Sequence, residues 1–429
     1  MIKYSLRDFF NRAKSNKLIE NFAYLSLLNF FNYLLPLITL PYLIRVLQPE
    51  NYGLTVYAQT VMLYFFVFID YGFNITATRS ISINKNNIRK INIIFNNVIT
   101  TKLVLLTICL IILAILVLLI PKFYGNWILY VFTSGILIGQ VFFPLWLFQG
   151  LQEMKYLMYF NLLSRVIFTI LVFVVIKTSK DFIYVNLLGS FGSILVGFLS
   201  IILVTTKFNI KFKIATKKRV INELKKSWVV FLSNFAIQVY IGSNIIILGI
   251  FVNDKTIGNY SIAEKIIFIL RQFIGAFSQA IYPHLCQLAS TPKLVGPFFK
   301  KILKYFLGAI LLICIVLFVF APQIVTLLVG KEITEIILLI RILCFVPFFI
   351  GLSVPSYQTL LAFNQKNIYS SILISAALLN IILNLILANL FKSYGTAVSV
   401  VITELFIAIG MYIALKIKLK NALFLANNN

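Results

Sequence analysis

Leu103–Ile120 reads LVLLTICLIILAILVLLI, a stretch with no charged side chain, and it decides the class of fold. An α-helix rises about 1.5 Å per residue and a bilayer's hydrocarbon core is about 30 Å thick, so so long an apolar run is read as a membrane-crossing helix. Working outward, similar runs fall at about 18–46, 54–78, 98–120, 126–149, 156–176, 182–205, 228–252, 257–285, 302–320, 333–362, 368–391 and 394–415 of the 429 residues. Two edges are soft. Ala321–Gly330 could extend a neighbour, and 333–362 holds Pro347 and Pro355, which break or kink helices. Hydrophobic residues make up 61% and charged residues only 12% of the chain, against about a quarter charged in soluble domains. The expected fold is an all-α integral membrane protein of about twelve transmembrane helices.

Basic residues outnumber acidic ones 38 to 12. They lie between the apolar runs without an aromatic ladder or nucleic-acid motif, so they report topology and not nucleic acid. Alternate sides of the membrane hold 27 and 7 Lys and Arg, with four inside spans. This places both termini in the cytoplasm and favours an even number of spans. The basic start, MIKYSLRDFFNRAKSNK, reads as a retained cytoplasmic tail, since no small-residue cleavage site follows. Cys109, Cys286, Cys314 and Cys344 fall in apolar stretches, where thiols act as small hydrophobes and no disulfide is expected. Trp127 and Trp146 sit near span ends and suit an interfacial aromatic belt.

An internal repeat is visible at an offset of 205. Asn29 meets Asn234, Gln48–Gly53 meets Asn253–Gly258, and Ala58 meets Ala263. A weaker match at 213 sets Gln152 and Tyr156 on Gln365 and Tyr369. With the most basic loop midway, the chain divides into a six-helix lobe at 1–210, a basic cytoplasmic linker at 211–227 and a second six-helix lobe at 228–429. Parallel repeats of this kind recur in transporters, with substrate bound between halves.

Ionisable residues inside spans are costly and face a cavity or a partner. Here they are Asp70, Arg165, Glu264, Lys265, Arg271, Arg341 and Glu404. Glu264, Arg271, Gly275 and Ser278 share one helical face, and Asn29, Asn32, Pro36 and Thr39 form a polar stripe on the first span. Asn380 and Asn384, four apart, read as glue between helices.

The resemblance to a known family rests on several stretches in order. Pro41-Tyr-Leu-Ile-Arg-Val-Leu-Gln-Pro-Glu-Asn-Tyr-Gly53 resembles the first extracytoplasmic turn of the polysaccharide-transporter branch of the multidrug/oligosaccharidyl-lipid/polysaccharide exporter superfamily. Asp70-Tyr-Gly-Phe-Asn-Ile-Thr-Ala-Thr-Arg79 resembles that branch's second span, and Pro144-Leu-Trp-Leu-Phe-Gln-Gly-Leu-Gln-Glu-Met-Lys155 is similar to the turn between spans four and five of its O-antigen flippases. Gly258–Lys265 and Leu379–Glu404 extend the similarity into the second half. The resemblance implies a flippase of the bacterial inner membrane that moves undecaprenyl-pyrophosphate-linked oligosaccharide from the cytoplasmic to the periplasmic leaflet. It implies a transporter rather than an enzyme, with the polysaccharide polymerase and chain-length machinery as candidate partners.

A pyrophosphate and many hydroxyls cannot cross hydrocarbon unaided, so such a carrier needs a wet cationic cavity while the lipid tail stays in the bilayer. Arg271 and Lys265 are placed to neutralise pyrophosphate, with Arg165 and Arg341 as further candidates, and Asn29 and Asn234 to bind sugar hydroxyls. Asp70, Glu264 and Glu404 are the candidate carboxylates for coupling to H+ or Na+. Structural readings stand beside these. Arg271 has Glu264 two turns away or an acid on a neighbouring helix, Arg165 and Arg341 have Asp70 or Glu404, and Asp70 suits a fixed ion pair. A multidrug exporter on the same scaffold is the competing function. A periplasmic polymerase or ligase is disfavoured because every loop on that side is short. No phosphate-cradling glycine loop points to ATP, and the single histidine, His284, makes no metal site, so no cofactor is expected.

Overall fold

The computed structural model describes residues 17–288 and 295–418. The basic N-terminal tail, Lys293 and Lys420, and the side chain of His284 lie outside the described residues. Every regular element among those described is helical, as hydrocarbon demands when backbone groups must be satisfied within a segment. Seven helical runs are long and apolar enough to cross a membrane, or nine if each sharply bent pair is one span, among the described residues. Two of them, Ala23–Ile83 and Lys366–Ile417, have 61 and 52 residues. Each is more than twice the roughly 20 residues of one crossing, long enough for two, and each is interrupted by non-helical backbone, at Gln48 and at Lys392.

The chain forms two compact units, residues 1–47 with 58–238, and residues 48–57 with 239–429. In the first unit, α1 (Lys17–Asp70) is interrupted at Gln48, where φ is 61° and ψ is 162°. It ends at Tyr71 and Gly72, both at positive φ, before α2 (Phe73–Ile83). The second candidate span is therefore a broken helix, with Asp70 at the break. Next come α3 (Ile88–Leu119), capped by the Asn87 side chain accepting from the Lys90 amide at 3.1 Å, and the short α4 (Pro121–Tyr124). The fourth candidate span splits into α5 (Trp127–Phe142) and α6 (Leu145–Gly150) around Pro144, which lacks the N–H a continuous helix requires. The unit closes with α7 (Met154–Val175), α8 (Phe182–Lys207) and the start of α9 (Lys217–Phe251). Small residues let α5 and α8 approach closely: a Cβ on Gly139 would collide with the Ser193 backbone, and one on Gly197 would lie 2.7 Å from the Gly139 carbonyl. Trp146 is a correction to the interfacial reading, because it is fully buried in a cluster with Phe73, Phe95 and Phe148.

The second unit holds the rest of α9, then α10 (Asp254–Leu288), α11 (Val295–Val319), α12 (Ala321–Val329), α13 (Thr334–Leu343), α14 (Phe345–Ala362) and α15 (Lys366–Lys418). Ala321–Val329 is a separate helix bent 67° from its predecessor and stopped by Gly330 at φ 86°. The candidate span at 333–362 breaks at Cys344 rather than at a proline, and Pro355 sits inside α14. The polar α10 is not among the nine apolar runs, so its crossing is a proposal. All four cysteines are free thiols.

Positions related by the 205 offset meet within this unit. A Cβ on Gly53 would strike the Asp254 carbonyl, and one on Gly258 would strike the carbonyl of Pro49, the residue equivalent to Asp254. Such reciprocity is the signature of a self-complementary contact. A second recurrence corrects the register read from sequence. Gln152 (φ 59°) and Asn364 (φ 60°) each end a helix in a Schellman turn, with Glu153 N donating to Phe148 O and Gln365 N to Leu360 O, both at 2.8 Å. These two turns match at an offset of 212, one residue from the 213 read in the sequence, which sets Gln152 on Asn364.

Candidate functional site

In the second unit the polar face of α10 carries the chemistry. Arg271 Nη2 lies 3.2 Å from Glu404 Oε1 on α15, so its acid comes from a neighbouring helix and not from Glu264. The arginine side chain keeps 29% of its surface while Glu404 keeps 7%. One turn on, Gly275 faces open space: its own helix backbone aside, no atom of a described residue lies within 4 Å of where a Cβ would stand. A further turn along, Ser278 is buried and locked to α14, through a 2.6 Å hydrogen bond with the Tyr357 hydroxyl and a 2.5 Å bond from Gln358 Nε2. The stripe thus divides into a fastened end at Ser278 and an open stretch at Arg271–Gly275. Glu264 is half-buried, with Arg271 and Lys265 as the cations acting on its charge. Lys265 is exposed, its ammonium 5.5 Å from the centre of the Phe268 ring. Arg341 packs its guanidinium 5.4 Å from the Phe318 ring and donates to the Phe318 carbonyl at 3.3 Å.

Two polar clusters here fasten helices together. Asn384 donates to Asn244 at 3.0 Å and accepts from Thr396 at 2.9 Å, while Asn380 donates to Thr403 at 3.2 Å. Glu335 on α13 receives Asn259 Nδ2 and Ser393 Oγ, each at 2.6 Å. Sequence reading passed over Glu335 because it stands at the edge of an apolar run, where an acid looks like a loop residue.

In the first unit, Asp70 meets Lys102 Nζ at 3.1 Å, with side-chain exposures of 8% and 3%. Lys102 is one of the 27 basic residues that the charge count sets on the cytoplasmic side, but it lies buried in α3. The signal was the polar run Asn96-Asn97 and Thr100-Thr101-Lys102, too long to be a span edge. Arg165 on α7 is half-buried, and no carboxylate among the described residues pairs with it. Asn29 is exposed and Asn234 half-buried, and neither makes a side-chain hydrogen bond to a described residue.

Helical runs of membrane length with charges held in their interior define a polytopic integral membrane protein. The fold matches that class: the lipid II flippase MurJ in an inward closed conformation aligns with a TM-score of 0.69 at 17% identity, covering 91% of this chain and 87% of that one. An inward-facing multidrug resistance MATE transporter of the MOP superfamily aligns at 0.64 with 12% identity, over 91% and 98%. A family model described as "Polysaccharide biosynthesis protein" matches residues 18–289. A protein of Escherichia coli K12 is 33% identical over 390 residues, 90% of this chain and 93% of its own, and one of Shigella dysenteriae is 28% identical over 407 residues, 92% and 100%. Both carry the name "Putative O-antigen transporter". The chain belongs to the polysaccharide biosynthesis protein family, and within it resembles the O-antigen transporters.

Proposed function

We propose that the protein is a flippase for polyprenyl-pyrophosphate-linked oligosaccharide, carrying repeat units of a surface polysaccharide such as O-antigen from the cytoplasmic to the periplasmic leaflet of the inner membrane. The observation that carries this is the 33% identity to an O-antigen transporter relative over 90% of the chain. The Arg271–Gly275 stretch supports it: a cation with solvent-accessible surface beside an open helix face suits a diphosphate that must leave water without entering hydrocarbon. Arg165, with no acid of its own among the described residues, is the corresponding cation of the first unit. Lys265 and Arg341 are weaker candidates, and Asn29 and Asn234 are the amides available to hydroxyls.

The three candidate coupling carboxylates are not equivalent. Asp70 and Glu404 each have a cation within 3.2 Å, which already compensates the charge that H+ or Na+ would neutralise. Glu264 has no salt-bridge partner among the described residues and is the carboxylate we assign to coupling. With no ATP motif, net movement is driven by an ion gradient or by removal of product, through alternating access with both termini cytoplasmic. The test is a deletion strain. Lipid-linked oligosaccharide should accumulate at the cytoplasmic leaflet and disappear on complementation; drug sensitivity without accumulation would establish the multidrug-exporter reading instead.

A further inference from the structure

The chain between α8 and α9 is a fixed strap, not a slack linker. Asn96 of α3 clamps it with both ends of one amide: Nδ2 donates to the Lys211 carbonyl at 3.0 Å and Oδ1 accepts from the Lys213 amide at 2.8 Å. One helical turn later, Thr100 Oγ1 accepts from the Ala215 amide at 3.0 Å. Four helical residues rise about 6.0 Å and two extended residues about 6.6 Å, so this helix face pairs with the strap as a neighbouring strand would. Ile210 anchors the near end, fully buried.

This clamping uses the strap's backbone and leaves its side chains outward. Lys211 and Lys213 are exposed and alternate with Phe212 and Ile214, which expose 47% and 80%. Lys217, Lys218 and Arg219 follow, all exposed, on a helix whose first turn has no acid. From Lys207 to Lys226 there are eight basic residues and one acid, Glu223, which is engaged by Lys226 at 3.0 Å. Successive side chains of an extended segment leave on opposite faces, so Phe212 and Ile214 expose apolar surface on one face while Lys211 and Lys213 leave from the other, on long stems that can carry their ammonium groups back to the same interface. Water alone would not favour the exposed Phe212 and Ile214.

We infer that the strap 210–219 is a binding surface for anionic phospholipid headgroups of the leaflet on the basic side of the membrane, with Phe212 and Ile214 entering the acyl region and the lysines meeting phosphates. The charge complementarity is that of juxtamembrane polybasic segments, here fixed by Asn96 and Thr100 rather than free.

The test uses the full-length protein in nanodiscs. Trp127→Phe and Trp228→Phe leave the buried Trp146, and Phe212→Trp sets a reporter on the strap. Brominated phosphatidylglycerol or brominated phosphatidylcholine is titrated into unlabelled phosphatidylcholine. The expected result is half-maximal quenching at a several-fold lower mole fraction of the anionic lipid. That preference should vanish in 0.5 M NaCl, where the screening length is about 4 Å, and in a Lys211→Gln/Lys213→Gln/Lys217→Gln/Lys218→Gln variant. Equal quenching by both lipids, absence of quenching by either, or an undiminished preference in the four-glutamine variant would overturn the inference. None of these readouts depends on sugar transport.

Discussion

Asp70→Asn is the substitution whose consequence follows most directly from the structure. Asp70 stands where the second span breaks, and its carboxylate is 3.1 Å from a lysine with 3% side-chain exposure. Removing the negative charge leaves Lys102 as a buried, uncompensated cation, a change that costs about 3–5 kcal/mol. At about 1.4 kcal/mol per tenfold, the unfolded population should rise by about two to three and a half orders of magnitude. Lys102→Met alone should cost a similar amount by stranding Asp70. The double variant Asp70→Leu/Lys102→Met has no stranded charge and should lie within about 2 kcal/mol of wild type, in either direction. Equilibrium unfolding in mixed detergent micelles of wild type, Asp70→Leu, Lys102→Met and the double variant would supply all four corners of the double-mutant cycle, with a coupling energy well above 1 kcal/mol. Because Asp70 is assigned no coupling role, the double variant should also support polysaccharide display. A loss below about 1 kcal/mol for Asp70→Asn, or a double variant as unstable as the sum of the singles, would refute the pairing.

Gly258→Ala should destabilise the protein by more than about 2 kcal/mol, since its Cβ meets the backbone of Pro49 and backbone cannot swing aside; Gly275→Ala, facing open space, should be near neutral in the same thermal unfolding measurement. Asn96→Ala removes two hydrogen bonds from the strap, worth about 1 kcal/mol each, and should speed trypsin cleavage after Lys211 and Lys213 by about tenfold or more. Glu264→Gln should leave the unfolding midpoint close to wild type while abolishing the dependence of transport on an ion gradient; unchanged ion dependence would remove Glu264 from the coupling role.

Much of this molecule is legible in sequence because hydrocarbon is an unforgiving solvent. Runs such as Leu103–Ile120 have only one reading, and a charge such as Arg271 must have a partner or a cavity. Breaks inside spans were harder to see. Pro144 announces one, but Tyr71–Gly72 depends on two consecutive positive φ values that no residue pattern near Asp70 advertises. Partners were hardest of all, because sequence gives the members of an ion pair without saying which helices touch. Arg271 was visible, Glu404 was visible, and only packing of α10 against α15 joins them. Trp146 misled for a related reason: nearness to a span end in sequence says nothing of burial, and a fold that doubles α6 back against α2 and α3 puts that indole in the core.

The central claim is that a cation beside open space on α10 moves a lipid-linked diphosphate sugar across the bilayer, and a reconstituted flipping assay tests it most directly. Purified protein in proteoliposomes would be given polyprenyl-pyrophosphate oligosaccharide in the outer leaflet, and its loss from that leaflet followed with a membrane-impermeant glycosidase or lectin. Arg271→Gln/Glu404→Gln keeps hydrogen-bonding groups on both helices and removes the two charges of the pair together. The account predicts flipping by wild type and at least a tenfold slower rate in this variant at equal folded protein. Wild-type rates in the variant would contradict the role of Arg271, and absence of flipping by the active wild-type protein would contradict the function itself.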